Sequence, residues 1–177
     1  MIKSIKNFGE ILKDDIKNLN SLIINNNKEY NKRLKSWINP MDNINAELLY
    51  RLTRDGEKVS KFHELCDNKG PTLTIIKTTN NKIFGGFTPL NWESSGNGEN
   101  KYDKSNQTFL FSLDLIKKFD MINAEKAAIY CNKNNGPYFG GRDFSIESNM
   151  KTGQTYANSE TNFISWKPNK KKEINKR

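Results

Sequence analysis

From Ile2 to Ile23 the apolar residues fall at Ile2, Ile5, Phe8, Leu12, Ile16, Leu19 and Ile23, with Lys3, Lys6, Glu10, Lys13, Asp14 and Lys17 between them. Steps of three and four put the apolar set on one face and predict an amphipathic N-terminal helix. The stripe lasts about three heptads, which suits a short coiled coil, and so self-association, or packing on its own domain. Spacing leaves both open. Asn25-Asn26-Asn27 breaks the pattern, a second, polar helix is predicted over Lys28–Ile38, and Pro40 marks a boundary.

From Leu48 the texture changes. Leu48-Leu49-Tyr50-Arg51-Leu52 is an apolar lead-in, and Asp55-Gly56 is a turn with Asp55 placed as the N-cap of the next helix. Val59, Phe62 and Cys66 then recur at helical spacing, predicting that helix over about Glu57–Cys66. Asn68-Lys69-Gly70-Pro71 ends it. Thr72–Lys77 is largely alternating and β-branched, Thr79-Asn80-Asn81 turns, and Lys82–Phe87 returns, so the pair predicts an antiparallel hairpin. Gly85 and Gly86 at its centre indicate a bulge or a close backbone approach.

Ser94–Gln107, with Ser95-Gly96-Asn97-Gly98, reads as a polar loop. Further strands are predicted at Thr108–Leu113, Ala127–Cys131, Phe144–Glu147 and Phe163–Trp166, with a turn at Asn134-Asn135-Gly136-Pro137. Early helices followed by short strands separated by turns point to an α+β fold: a β-sandwich of antiparallel sheets with flanking helices. The organisation expected is a helical leader over 1–45, a domain over 46–166 and a basic disordered tail over 167–177.

Composition supports one domain. At 177 residues the chain suits a single core with polar extensions. Its mean hydropathy of -0.83 and 26 Asn would fit a disordered chain, but 11% aromatic residues provide material for a core. The longest apolar runs, Leu22–Ile24 and Ala127–Tyr130, fall far short of the ~20 residues of a spanning helix. Met1–Gly9 lacks a signal-peptide pattern, so an intracellular, cytoplasmic protein is expected.

A net charge of +9 and a pI near 9.4 invite a nucleic-acid reading until the charge is located. Residues 1–45 carry eight Lys/Arg against five Asp/Glu, residues 46–166 fifteen against fourteen, and residues 167–177 six against one. The domain is electrically balanced. Lys167–Arg177 reads either as a solvated end or as an element for anionic lipid or nucleic-acid backbone, and no specific nucleic-acid recognition is expected.

Two cysteines, Cys66 and Cys131, with the single His63, make neither a disulfide framework nor a zinc set. His63 and Cys66 lie three apart on the predicted helix, close enough to meet, yet Cys66 sits on its apolar stripe as a small hydrophobe would. Phe84-Gly85-Gly86-Phe87 and Phe139-Gly140-Gly141-Arg142 match neither phosphate-loop spacing. Arg51, Arg54 and Asp55, with Asp67 and Arg142-Asp143, supply either a polar site or ion pairs that pin loops to a sheet. The expectation is a protein without cofactor, metal or catalytic set. The alternative is a direct antioxidant or hydrolytic enzyme using Cys66, Cys131 or His63.

Read together, these segments resemble a known family. Leu48-Leu49-Tyr50-Arg51, Thr53-Arg54-Asp55-Gly56, Phe62-His63 and Cys66-Asp67-Asn68-Lys69-Gly70-Pro71-Thr72-Leu73 resemble the opening of the TLDc domain. Ile83-Phe84-Gly85-Gly86-Phe87-Thr88 with Trp92, then Phe109–Leu113, Ile129-Tyr130-Cys131, Gly136-Pro137 and Phe139-Gly140-Gly141-Arg142-Asp143-Phe144, continue it in order to about Tyr156. The resemblance implies a two-sheet sandwich in a eukaryotic family linked to oxidative-stress protection, some members of which bind the vacuolar proton-pumping ATPase. It brings no catalytic residue set, and implies a protein partner. Where the family continues to closing strands, this chain passes Phe163-Ile164-Ser165-Trp166 into lysines, so a shortened end and an exposed sheet edge are expected.

Overall fold

The computed structural model describes residues 2–6, 19, 21–24, 27–38, 45–94, 96–141, 143–147, 149–151 and 153–155. In chain order these form β1 (Ile2–Lys6), α1 (Lys28–Ile38), β2 (Asn45–Tyr50), α2 (Leu52–Asp55), α3 (Val59–Cys66), β3 (Thr72–Lys77), β4 (Ile83–Thr88) and β5 (Glu99–Tyr102). There follow β6 (Phe109–Ser112), β7 (Lys117–Asp120), β8 (Ala127–Cys131), β9 (Tyr138–Phe139), β10 (Phe144–Ile146) and β11 (Gly153–Thr155). Six strands make the first sheet, ordered β2-β1-β3-β4-β6-β7, and five the second, ordered β11-β10-β9-β8-β5. All neighbours are antiparallel.

The two faces of the first sheet bury different clusters. Leu110 and Phe119 point toward the second sheet, where they meet Ala128, Ile129, Phe139 and Phe144, with Phe62 and Cys66 of α3. Leu73, Ile75, Phe87, Phe109 and Phe111 point the other way and lie under Leu19, Ile24 and Leu34. Side chains alternate along a strand, so a strand covered on both faces must be apolar or neutral at every position. Thr72 to Ile75 and Phe109 to Phe111 are accordingly buried throughout.

Gly85 and Gly86 mark a close approach, and the β3–β4 register runs unbroken past them from Thr72↔Thr88 to Lys77↔Ile83. A Cβ on Gly85 would lie 1.9 Å from the Thr74 carbonyl oxygen, and one on Gly86 would lie 2.7 Å from Phe139 Cζ of the opposite sheet. Glycine here lets the sheets pack.

The helix expected from Ile2 begins instead as a strand. Ile2–Lys6 lies between β2 and β3 and pairs with both, and ladders on two sides outweigh a locally helical pattern that includes β-branched Ile2 and Ile5. Leu22–Ile24 form a turn; most of the remaining predicted helix lies outside the described residues. The described part of the leader is built into the first sheet and its cover. The polar loop expected over Ser94–Gln107 contains β5, an edge strand with no buried residue. Asp55 does not cap α3, which starts after Lys58 without a side-chain cap. Phe163–Trp166 and the tail at 167–177 lie outside the described residues.

Candidate functional site

The Arg51–Gly56 segment is a corner. Asp55 accepts from the Arg51 backbone N–H at 2.7 Å and from Arg54 Nε and Nη2 at 2.7 and 2.8 Å, while Arg54 Nη2 also donates to the Leu49 carbonyl at 2.7 Å. The Arg54 guanidinium holds the Asp55 carboxyl below the usual carboxylate range. Tyr50 donates its hydroxyl to the Gly56 carbonyl at 2.6 Å, and burial, with Asp55 nearby, pushes its pKa up to about 12. Gly56 has φ +84°, where a side chain would be strained. These residues turn β2 into α2. Buried Arg51 Nε has no hydrogen-bond partner among the described residues.

Trp92 is the second centre. It is 1% exposed, donates Nε1–H to Thr72 Oγ1 at 2.8 Å and packs edge-on against Phe62 and Phe139, with centroids 6.1 and 5.5 Å away. Its strand-like bridge to Asp67, the Asn68 N–H donated to its carbonyl at 3.0 Å, and the Gly70 N–H donated to Asn91 Oδ1 at 2.7 Å tie the loop after α3 to the chain after β4. Gly70, at φ +76°, makes that turn. Asp67 and Gly70 thus join the chain at Trp92 and Asn91, while Cys66 shares the indole's core cluster.

His63 joins α3 to the turn after β8. Its Nδ1 faces Asp67 Oδ1 at 2.8 Å, and its Nε2 lies 3.0 Å from the carbonyl oxygens of both Asn132 and Asn135. Carbonyls only accept, so Nε2 carries a proton and donates it. In a hydrolytic triad the acid orients Nδ1 and leaves Nε2 as the base; here Nε2 is committed to the backbone. Beside this clamp lies a cleft of about 290 Å³ lined by Ser60, His63, Glu64, Asp67, Ser94 and Lys133.

Neither thiol suits nucleophilic work, which requires the thiolate. Cys66 and Cys131 are 0% and 1% exposed. Burial pushes the Cys66 thiol far above its ordinary value and that of Cys131 up to about 11. Among the described residues no three His, Cys, Asp or Glu side chains converge as a metal would require.

The remaining motif residues lie elsewhere. Gly85 and Gly86 sit inside the first sheet. Gly140, at φ +65°, and Gly141 border a separate cleft of about 400 Å³ with Asn100, Tyr130, Asn135 and Tyr138. Asp143 is 2% exposed, beside Arg142, whose placement lies outside the described residues. Sequence reasoning missed Asp103, a buried carboxylate that accepts from the backbone of Ser105, Gln107 and Thr108 at 3.0, 2.8 and 2.7 Å, and from the hydroxyls of Ser105 and Thr108. The signal was present: an Asp followed two residues later by Ser is common turn chemistry.

Stacked antiparallel sheets, a helical cover and polar motif residues that brace their junctions define an α+β sandwich domain. A family model described as the TLDc domain matches residues 18–175, and the chain belongs to that family. It is 32% identical over 81 residues to TBC1 domain family member 24 of Xenopus tropicalis, covering 44% of this chain and 14% of that protein. MTOR-associated protein MEAK7 of Danio rerio is 30% identical over 66 residues, 37% of this chain and 14% of its own length. GTPase-activating protein skywalker of Drosophila melanogaster is 34% identical over 71 residues, 37% of this chain and 12% of its own. The chain spans a small part of the length of these curated relatives.

Proposed function

We propose that this chain is a non-enzymatic protein-interaction domain of the TLDc type, acting in the cytoplasm, with subunits of the vacuolar proton-pumping ATPase as its partner and oxidative-stress protection as its outcome. The observation that carries the non-enzymatic part is the use of His63: Nδ1 faces Asp67 at the end of its own helix, and Nε2 ties α3 to the Asn132–Asn135 turn, so both ring nitrogens are engaged within the fold. Burial of both thiols supports the same reading. So does the spread of related segments among relatives with different names, one called mTOR-associated and another GTPase-activating, as a shared regulatory module would be. Among the described residues no helix is long and apolar enough to cross a membrane.

The test has two arms. Purified full chain should retain vacuolar ATPase subunits from a solubilised membrane fraction above the level of an unrelated domain of equal charge; equal recovery removes that partner. Cells carrying Cys66→Ser, Cys131→Ser or His63→Gln, at matched protein levels, should keep their stress protection. Loss of protection by a variant that still folds would favour the antioxidant or hydrolytic reading.

A further inference from the structure

Most exposed large apolar side chains of the described residues stand singly, as Leu22, Tyr102 and Ile122 do, and isolated exposures need no explanation. Leu115 and Ile116 differ. They are neighbours at the tip of the β6–β7 hairpin, 69% and 37% exposed. Ile116 holds φ +48°, a left-handed conformation that is an outlier for a β-branched residue. The tip is nevertheless well fastened. The Ile116 N–H reaches the Leu113 carbonyl at 3.2 Å, the Leu113 N–H reaches the Ile83 carbonyl at 2.9 Å, and Asp114 Oδ2 accepts from the Ile83 N–H at 2.6 Å. Backbone strain kept in place by surrounding bonds is a feature of functional positions.

The charges around the tip have one dominant sign. The register Lys77↔Ile83, Phe84↔Ser112 and Ser112↔Lys117 brings Lys77, Lys82 and Lys117 to the same end of the first sheet. All three are exposed. Asp114 opposes them, but its carboxylate is turned inward to Ile83 and lies 3.5 Å from Lys82 Nζ.

We propose that this tip is a membrane-docking element: Leu115 and Ile116 enter the interfacial layer of a bilayer containing anionic lipid, while Lys77, Lys82 and Lys117 meet its phosphates. A convex prong of two side chains offers far less than the roughly 800 Å² per partner of a stable protein interface. A bilayer demands no complementary pocket, and combines apolar burial with attraction for cations. The inference is independent of the ATPase reading.

The probe is the full chain with phosphatidylcholine vesicles, with and without phosphatidylserine, in a co-sedimentation assay. Binding is expected only with phosphatidylserine and falls as salt rises. Leu115→Ser with Ile116→Asn leaves every charge in place, including Lys167–Arg177, and should weaken binding about tenfold. Ile116→Asn alone should melt no lower than the parent, because Asn tolerates the left-handed conformation, so lost binding would not reflect lost folding. Undiminished vesicle binding by the double variant, or none by the parent, overturns the proposal. Loss of captured ATPase subunits with vesicle binding intact would assign the tip to a protein surface instead.

Discussion

The first sheet is walled on both faces, whereas the second presents a polar side around Asn100, Tyr130 and Tyr138. Along β6 the residues Phe109, Leu110 and Phe111 are all buried; along β5, Glu99 to Tyr102, none is. The difference teaches that a strand's sequence reports how many of its faces are covered. Covered strands use apolar side chains and glycines to fit two neighbours, while an edge strand keeps charges that discourage pairing with another chain. The contrast is one of energetics too, because the fit at the centre of the first sheet leaves no room for an added atom.

The sharpest test sits in β4. Gly85→Val would drive a side chain into the Thr74 carbonyl, and Gly86→Val would drive one into Phe139. Each should lower stability by at least about 3 kcal/mol in urea unfolding, or remove the cooperative transition. Gly96→Ala, near β5 and with nothing within 4 Å, should change stability by less than about 0.5 kcal/mol. Equal effects at the two places would break the comparison.

The same logic explains what the sequence reveals and what it does not. The predicted ends of α1, β3 and β8 coincide with those observed, because turn and breaker residues bound them: Asn25-Asn26-Asn27 and Pro40 flank α1, Gly70-Pro71 and Thr79-Asn80-Asn81 flank β3, and Asn134-Asn135-Gly136-Pro137 follows β8. β5 and β7 escape prediction because Glu99-Asn100-Lys101-Tyr102 and Lys117-Lys118-Phe119-Asp120 are edge strands whose pairing partners lie far along the chain or whose alternation is too short to stand out. β1 is misread because Ile2 and Ile5, three apart, fit a helical face better than a strand's alternation, and only pairing with β2 and β3, distant in sequence, decides otherwise. The candidate site divides similarly. Arg54 with Asp55 is readable as adjacent opposite charges, and His63 lies within reach of Asp67 one helical turn on. Nothing local announces that His63 Nε2 meets carbonyls 69 and 72 residues later. That contact makes His63 a link between α3 and the turn after β8.

A smaller effect is expected where the chain passes from one sheet to the other, because Asp103 folds the segment leading from β5 into β6. Asp103→Ala leaves the N–H groups of Gln107 and Thr108 without their acceptor and should cost roughly 1–3 kcal/mol. Its acid response has a definite sign. Burial raises the pKa of the Asp103 carboxyl, but hydrogen bonds from Ser105 and Thr108 outweigh it, so the folded value lies below the ordinary 3.8. The unfolded chain therefore takes up this proton first. The carboxylate's contribution is full above the ordinary pKa and is lost as pH falls through the lowered, folded one. Chemical denaturation between neutral pH and pH ~2 should show a decline that is shallower in Asp103→Asn. An identical slope would place the acid sensitivity elsewhere.

The mildest test returns to the polar side of the second sheet. Tyr130 and Tyr138 stand with ring centroids 5.1 Å apart at 57°, both half-buried, beside the cleft that Gly140 and Gly141 border. Tyr130→Ser gives up that ring pair and some half-covered area but opens no sealed cavity, because the site already meets solvent. A loss of about 1 kcal/mol is expected, and the unfolding transition should stay cooperative. The size of the loss decides what the aromatic pair is for. A fall as large as that of Gly86→Val would mean that the second sheet is as tightly walled as the first. A fall within about 1 kcal/mol leaves the pair as surface that the fold does not need, the condition under which an aromatic patch is free to serve recognition.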